Sequence, residues 1–161
     1  MVATGAAVGA GATAGSPPVQ RFGLSGSVTD KASCTRQESS VRVRLSRTRW
    51  PHIADHLADV RRSGKHPQPW HIDRPGADQN RDQSLGYWER TEGRRYDAAA
   101  RRGKDRDEVP PAVAREGGRW RGRYADVRLV LSGENRSAGS YMGNELSAWC
   151  DGQAFRLVVV R

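Results

Sequence analysis

No stretch of this sequence is suited to crossing a bilayer. Met1 to Pro18 carries no charged side chain, but it is too short and too rich in glycine for a helix that needs about 20 apolar residues. Apolar residues in general are few, at 36% with a mean hydropathy of −0.77. A chain of 161 residues with that composition has room for one domain with a small core. Zinc motifs are missing too. The two cysteines, Cys34 and Cys150, stand in no metal-ligand spacing. His52 and His56 are four apart on a helical pattern, but Ile53 stands where a metalloprotease motif needs glutamate. Two surface histidines are therefore the expected reading, and no histidine follows His71. Lysine is scarce: only Lys31, Lys65 and Lys104 among 27 basic residues.

What is present in excess is arginine. Basic residues outnumber the 18 acidic ones and leave a formal net charge of +9. Arginine matches phosphate oxygens in a bidentate fork, which lysine does not. A GC-rich genome explains the arginine-to-lysine ratio equally well, but not the surplus of bases over acids. The surplus points to a polyanionic partner. The uncharged start reads as the apolar tail of a secretory signal, with Ala12-Thr13-Ala14 as the cleavage site before Gly15. Its positive leading region is absent, and a disordered Gly/Ala arm is the alternative. The expected organisation is a signal remnant or arm over 1–18, a linker or edge segment over 19–36, and one domain over 37–161.

Val41, Val43 and Leu45 alternate with Arg42, Arg44 and Ser46, which predicts a half-buried strand. Trp50-Pro51 opens a helix with Ile53, Leu57 and Val60 on one face and Gly64 at its end. A short strand is expected at Trp70 to Ile72, then a turn in which Asp73, Arg74, Asp78 and Arg81 form a salt-bridged scaffold. From Gln83 to Arg102 arginines alternate with Tyr87, Trp88 and Tyr96. Such a pattern either stacks bases and holds phosphates or caps a small core.

The chain is organised around Gly103 to Leu146. Asp105, Asp107 and Glu108 are closed off by Pro110-Pro111, and Glu116-Gly117-Gly118 makes a turn. A strand is expected over 124–131, a helix over about 136–148, and a last buried strand at Phe155 to Val160. A second polar set, Ser132-Gly133-Glu134-Asn135-Arg136, enters that helix. Two sets of hard oxygen ligands thus flank a strand in a strongly basic chain, a pattern suited to metal-assisted phosphate chemistry.

These blocks resemble the NucA/NucB deoxyribonuclease family: Asp105-Arg106-Asp107-Glu108-Val109-Pro110-Pro111, Glu116-Gly117-Gly118, Ala125-Asp126-Val127-Arg128, Glu134-Asn135-Arg136-Ser137-Ala138-Gly139-Ser140 and Met142-Gly143-Asn144-Glu145-Leu146. The likeness runs from about Val41 to the C-terminus. It implies an α+β domain, small and mixed, with a ββα-metal-like site built from a hairpin and a helix. An acidic base stands where those nucleases use histidine. The implied activity is metal-dependent, sequence-nonspecific endonucleolytic hydrolysis of DNA by a secreted monomer.

By position, Asp107 is the general base. Glu134 and Asn135 hold one divalent cation, Mg²⁺ or Mn²⁺, and its waters. Asn135 or Ser132 as a mere helix cap is the plainer alternative. Glu108, Glu116 and Asn144 follow as ion ligands, supporting groups or turn-holding groups, and Arg106 and Arg136 as holders of the scissile phosphate. The sequence departs from the family at Val109, which replaces an aromatic residue, in the longer passage Arg119 to Tyr124, and at Glu145. In an exported protein the cysteine pair suggests one Cys34–Cys150 disulfide, with two buried thiols as the alternative. Two other functions fit the same residues: a DNA-binding module without turnover, and a nuclease toxin with a cognate inhibitor protein.

Overall fold

The computed structural model describes residues 34–91 and 103–161. The expected arm (1–18), nearly all of the linker (19–36) and Tyr96 lie outside them. Strand β1 (Val41–Ser46) buries Val41, Val43 and Leu45 and exposes Arg42 and Arg44, as its alternation requires. It pairs in parallel with β7 (Ala154–Val160), Val41 opposite Phe155 and Leu45 opposite Val159. Strand β2 (Trp70–His71) joins β7 from the other side, antiparallel, giving the order β1-β7-β2. The central strand was expected to be wholly buried. Only Phe155 and Leu157 are, and the other five residues are half-buried.

Helix α1 (Pro51–Ser63) starts with Pro51 in its first turn, where the missing N–H costs nothing. Gly64 ends it in the left-handed conformation (φ 65°), its N–H donating to Arg61 O at 3.2 Å. Ile53, Ala54, His56, Leu57 and Val60 are buried on its inner face. Helix α2 (Ala77–Thr91) occupies a stretch read as a turn followed by arginine-rich chain. Of its 15 residues only Ser84 and Trp88 are buried, so it has almost no apolar stripe to betray it. The expected scaffold ahead of it is present in part: Arg81 pairs with Asp78 at 3.2 Å, Arg74 pairs with Asp151 at 3.0 Å, and Asp73 accepts from the Gly76 N–H.

Strands β3 (Lys104–Val109) and β6 (Asp126–Leu131) form a separate antiparallel pair, with Asp105 opposite Val130, Asp107 opposite Arg128 and Val109 opposite Asp126. Between them the chain makes a turn and a two-stranded hairpin, β4 (Arg119–Trp120) and β5 (Arg123–Tyr124). Gly117 is required there: a Cβ on it would sit 2.3 Å from Pro111 O. Helix α3 (Ser132–Ser147) follows β6 without a break, four residues ahead of its expected start. The result is an α+β domain in which one antiparallel pair runs directly into a helix. Tying its start to its end, Cys34 and Cys150 form a disulfide with a Cα–Cα distance of 4.9 Å. The bridge closes a separation of 116 residues, worth about 4–5 kcal/mol in the chain-entropy model.

Candidate active site

Alternation along β3 assigns its polar side chains to different neighbours. Asp105 and Asp107 share one face. Asp105 accepts from Ser132 Oγ at 2.9 Å and from Arg136 Nε at 2.8 Å, both on α3, and that arginine holds its carboxyl below the ordinary range. Asp107 reaches α1. On the opposite face, Arg106 pairs with Glu89 of α2 and lies over the Trp88 ring. Glu108 accepts from Ser84 Oγ of α2 at 2.5 Å. Burial pushes the Glu108 carboxyl up from its ordinary value, and the Ser84 hydrogen bond offsets part of this.

The partner of Asp107 corrects the reading of the histidines. His56 is not on the surface; it is fully buried (0% exposed). Its Nδ1 lies 2.6 Å from Asp107 Oδ2 and its Nε2 lies 2.9 Å from Asp126 Oδ1. Both ring nitrogens face carboxylates, and only the imidazolium can donate from both. Burial alone would lower the His56 pKa, but the hydrogen bonds it donates to Asp107 and Asp126 outweigh this and raise the value above 6.5. The same hydrogen bond holds Asp126 below its ordinary value. His52, the other member of the pair, is exposed and meets Glu134 Oε2 at 2.6 Å.

Glu134 lies in the first turn of α3 and is bound to α1. Its Oε1 accepts the Ile53 N–H at 3.0 Å, and its side chain is 8% exposed. Helix α1 has no side-chain cap of its own at Trp50, so Glu134 supplies one from another helix and sets a negative charge at the positive end of the dipole. Glu134→Ala is expected to lower stability by about 1 kcal/mol, with Glu134→Gln recovering most of it. Urea midpoints of the three proteins check this, and an unchanged Glu134→Ala midpoint would remove the capping role.

A cleft of about 460 Å³ gathers several of the candidates. Arg106, Asp107, Glu108, Asn135 and Arg136 line it, over a floor that includes Leu45, Ile53 and Leu157. Asn135 Nδ2 donates to Arg106 O at 3.4 Å, which leaves its Oδ1 with no protein partner among the described residues. Three candidates are elsewhere. Glu134 is engaged with α1, as described. Glu116 accepts from His71 N–H at 3.0 Å and meets His71 Nδ1 at 2.9 Å, at a different depression. Asn144 is exposed, ten residues beyond Glu134 and so about 15 Å further along the helix. Among the described residues, no three or more His, Cys, Asp or Glu side chains stand together as a ready cation cage.

No family model matches the chain. A curated relative does: the DNA-entry nuclease of Bacillus subtilis (strain 168) is 36% identical over 104 residues, covering 65% of this chain and 60% of that protein. That match agrees with the resemblance read from the sequence blocks. The chain spans about 60% of the length of this relative. Among the described residues, no helix is long and apolar enough to cross a membrane.

Sequence reasoning missed His56 and Asp126 as parts of the site, and took Arg81, which also lines the cleft, for scaffold alone. The four-residue spacing of His52 and His56 was a visible signal, but with the metal motif incomplete it was read as two surface histidines. The actual partners of His56 stand 51 and 70 residues away, a pairing with no local signature.

Proposed function

We propose that the chain is an exported, divalent-metal-dependent endodeoxyribonuclease without sequence preference, with Asp107 as its general base. The observation that carries this reading is the pairing of Asp107 with a buried imidazolium at the edge of an arginine-rimmed cleft. Asp107 Oδ2 is held by His56, and Oδ1 remains to take a proton from the attacking water. Arg81, Arg106 and Arg136 line the same cleft and suit a phosphate bound in bidentate fashion. The relative's name agrees with DNA as substrate. A disulfide agrees with an oxidising compartment.

The donors fit a hard ion that keeps most of its waters. Asn135 offers a free oxygen in the cleft, and Glu108 lines it with one oxygen held by Ser84; Mg²⁺ or Mn²⁺ needs only one or two protein ligands beside a phosphate. When bound, such an ion would stabilise the charge that develops on the phosphate and the leaving oxygen. Glu134 joins the ion only by sharing or releasing its hold on α1. Glu134→Gln is therefore expected to lose ion-dependent cleavage while binding DNA in chelator at least as tightly as the unaltered chain. A plasmid nicking assay beside a binding titration reads both, and normal nicking would leave Glu134 with its capping role alone.

One observation favours a second reading. Both carboxylate oxygens of Glu134 are already engaged, as expected of a DNA-binding module that has lost turnover. Nicking of plasmid DNA by the unaltered chain with Mg²⁺ or Mn²⁺ separates the two. A nuclease toxin would nick as well, and is told apart by a cognate inhibitor.

A further inference from the structure

A second depression, of about 500 Å³, lies on the other side of the segment that follows β3. Pro110 lines it, whereas Val109 and Pro111 line the Asp107 cleft. Its character is the reverse of that cleft. Lys65, Arg115, Arg121 and Arg123 line it together with Trp120, and its only carboxylate, Glu116, is occupied by His71. None of those four cations has a carboxylate partner among the described residues. Around the Asp107 cleft, by contrast, Arg81, Arg106 and Arg136 are each ion-paired.

The β4–β5 hairpin builds this wall. Its two turn residues, Arg121 (φ 48°) and Gly122 (φ 81°), are both left-handed, the conformation of a tight two-residue hairpin turn. The turn holds Trp120 in place with 37% of its surface exposed and the Arg121 guanidinium 5.9 Å from its ring. The depression then continues into a larger one of about 960 Å³, which shares Lys65, His66 and Arg123 and reaches Tyr124. Tyr124 stacks on Tyr87 at 4.2 Å with planes 3° apart. Free cations beside exposed aromatic faces are the elements of a single-strand track, where phosphates sit on the cations and bases on the rings.

We propose that the hairpin groove is a second DNA-contact site that holds a single-stranded segment, with an unpaired base stacked on Trp120 and its phosphates on Lys65, Arg115, Arg121 and Arg123. Duplex bases are already stacked on one another and leave no open face for Trp120. The cations alone would bind either form, so the tryptophan is what distinguishes them. The depression of about 500 Å³ around Trp120 has no free carboxylate, so this contact needs no metal ion. The proposal rests on the reading of the chain as a protein that acts on DNA.

The test is fluorescence anisotropy with a short labelled single strand and a duplex of equal length, in EDTA across a salt series. Trp120→Ala should weaken the single strand about tenfold and the duplex by less than about twofold, since duplex affinity rests on phosphate contacts. Trp120→Phe should restore most of the loss. Arg121→Ala with Arg123→Ala should weaken both forms and reduce the salt slope by about one to two. Trp120 is exposed, so equal melting temperatures are expected and confirm that the fold is kept. Single-strand affinity unchanged in Trp120→Ala overturns the proposal, as does an unaltered chain that binds duplex but no single strand. An unaltered chain that binds neither form overturns the DNA reading itself.

Discussion

Asp107→Asn is expected to reduce DNA cleavage by about 10²–10⁴-fold, the usual contribution of a positioned general base. Asparagine keeps the size of the side chain and an oxygen for His56, but cannot take a proton from water. The base acts as the transition state forms and adds little to ground-state binding. Affinity for uncut DNA in EDTA should therefore stay level or tighten slightly, because a negative charge has left the cleft. Asp107→Ala should also lose cleavage, with an added loss of stability from stranding the buried imidazolium. Single-turnover cleavage and binding titrations on the same preparations separate these effects. Asp107→Asn that cuts at the normal rate would move the base elsewhere, with Glu108 next in the cleft.

Removing His56 is expected to produce the largest loss of stability. His56→Ala leaves Asp107 and Asp126 without the cation that both of them face. Taking one partner from a buried ion pair costs about 3–5 kcal/mol, a large part of the 5–15 kcal/mol that holds a typical domain together. The pH dependence follows from the directions of the shifts. His56 is raised above its unfolded value, so its stabilisation is complete below about pH 6.5 and is lost as pH rises through the folded pKa. Asp126 is lowered, so its share is present above about pH 3.9 and is lost as pH falls through its folded pKa. The groups that set this window are Asp107 and Asp126, opposed by Arg128. Melting curves of the unaltered chain and His56→Gln should differ most in mildly acidic solution and converge as pH rises past the His56 pKa. A gap that persists undiminished into strongly alkaline solution would mean that the imidazole is not charged in the fold.

Much of the fold was legible because periodicity and chain breakers act locally. The alternation of Val41, Val43 and Leu45 defined β1, and Pro51 and Gly64 bounded α1. Helix α2 escaped because its burial amounts to Ser84 and Trp88. It is held instead by polar contacts such as Asn80 Nδ2 donating to Ala112 O and Ala114 O at 3.0 and 2.8 Å. Helix α3 begins early because Leu131 is its N-cap, with no side-chain cap, and an uncapped start gives no sequence signal. The acids of the candidate site along β3 were legible because they lie within four residues of one another. Its supports were not. A histidine on α1, an aspartate at the start of β6 and a glutamate that caps a different helix meet only once the chain has folded. Asn144 shows the opposite error: proximity in a motif did not bring its side chain to the cleft.

The most direct test of a metal-dependent nuclease centred on Asp107 is digestion of supercoiled plasmid by the purified full chain with Mg²⁺, with Mn²⁺ and with EDTA, run beside Asp107→Asn. Nicked and then linear DNA should appear with at least one ion, none in EDTA, and almost none with the variant under any condition. Cleavage at full rate in chelator would contradict the metal-dependent account, equal cleavage by Asp107→Asn would contradict its choice of base, and a chain that binds the plasmid without cutting it under any ion would contradict both.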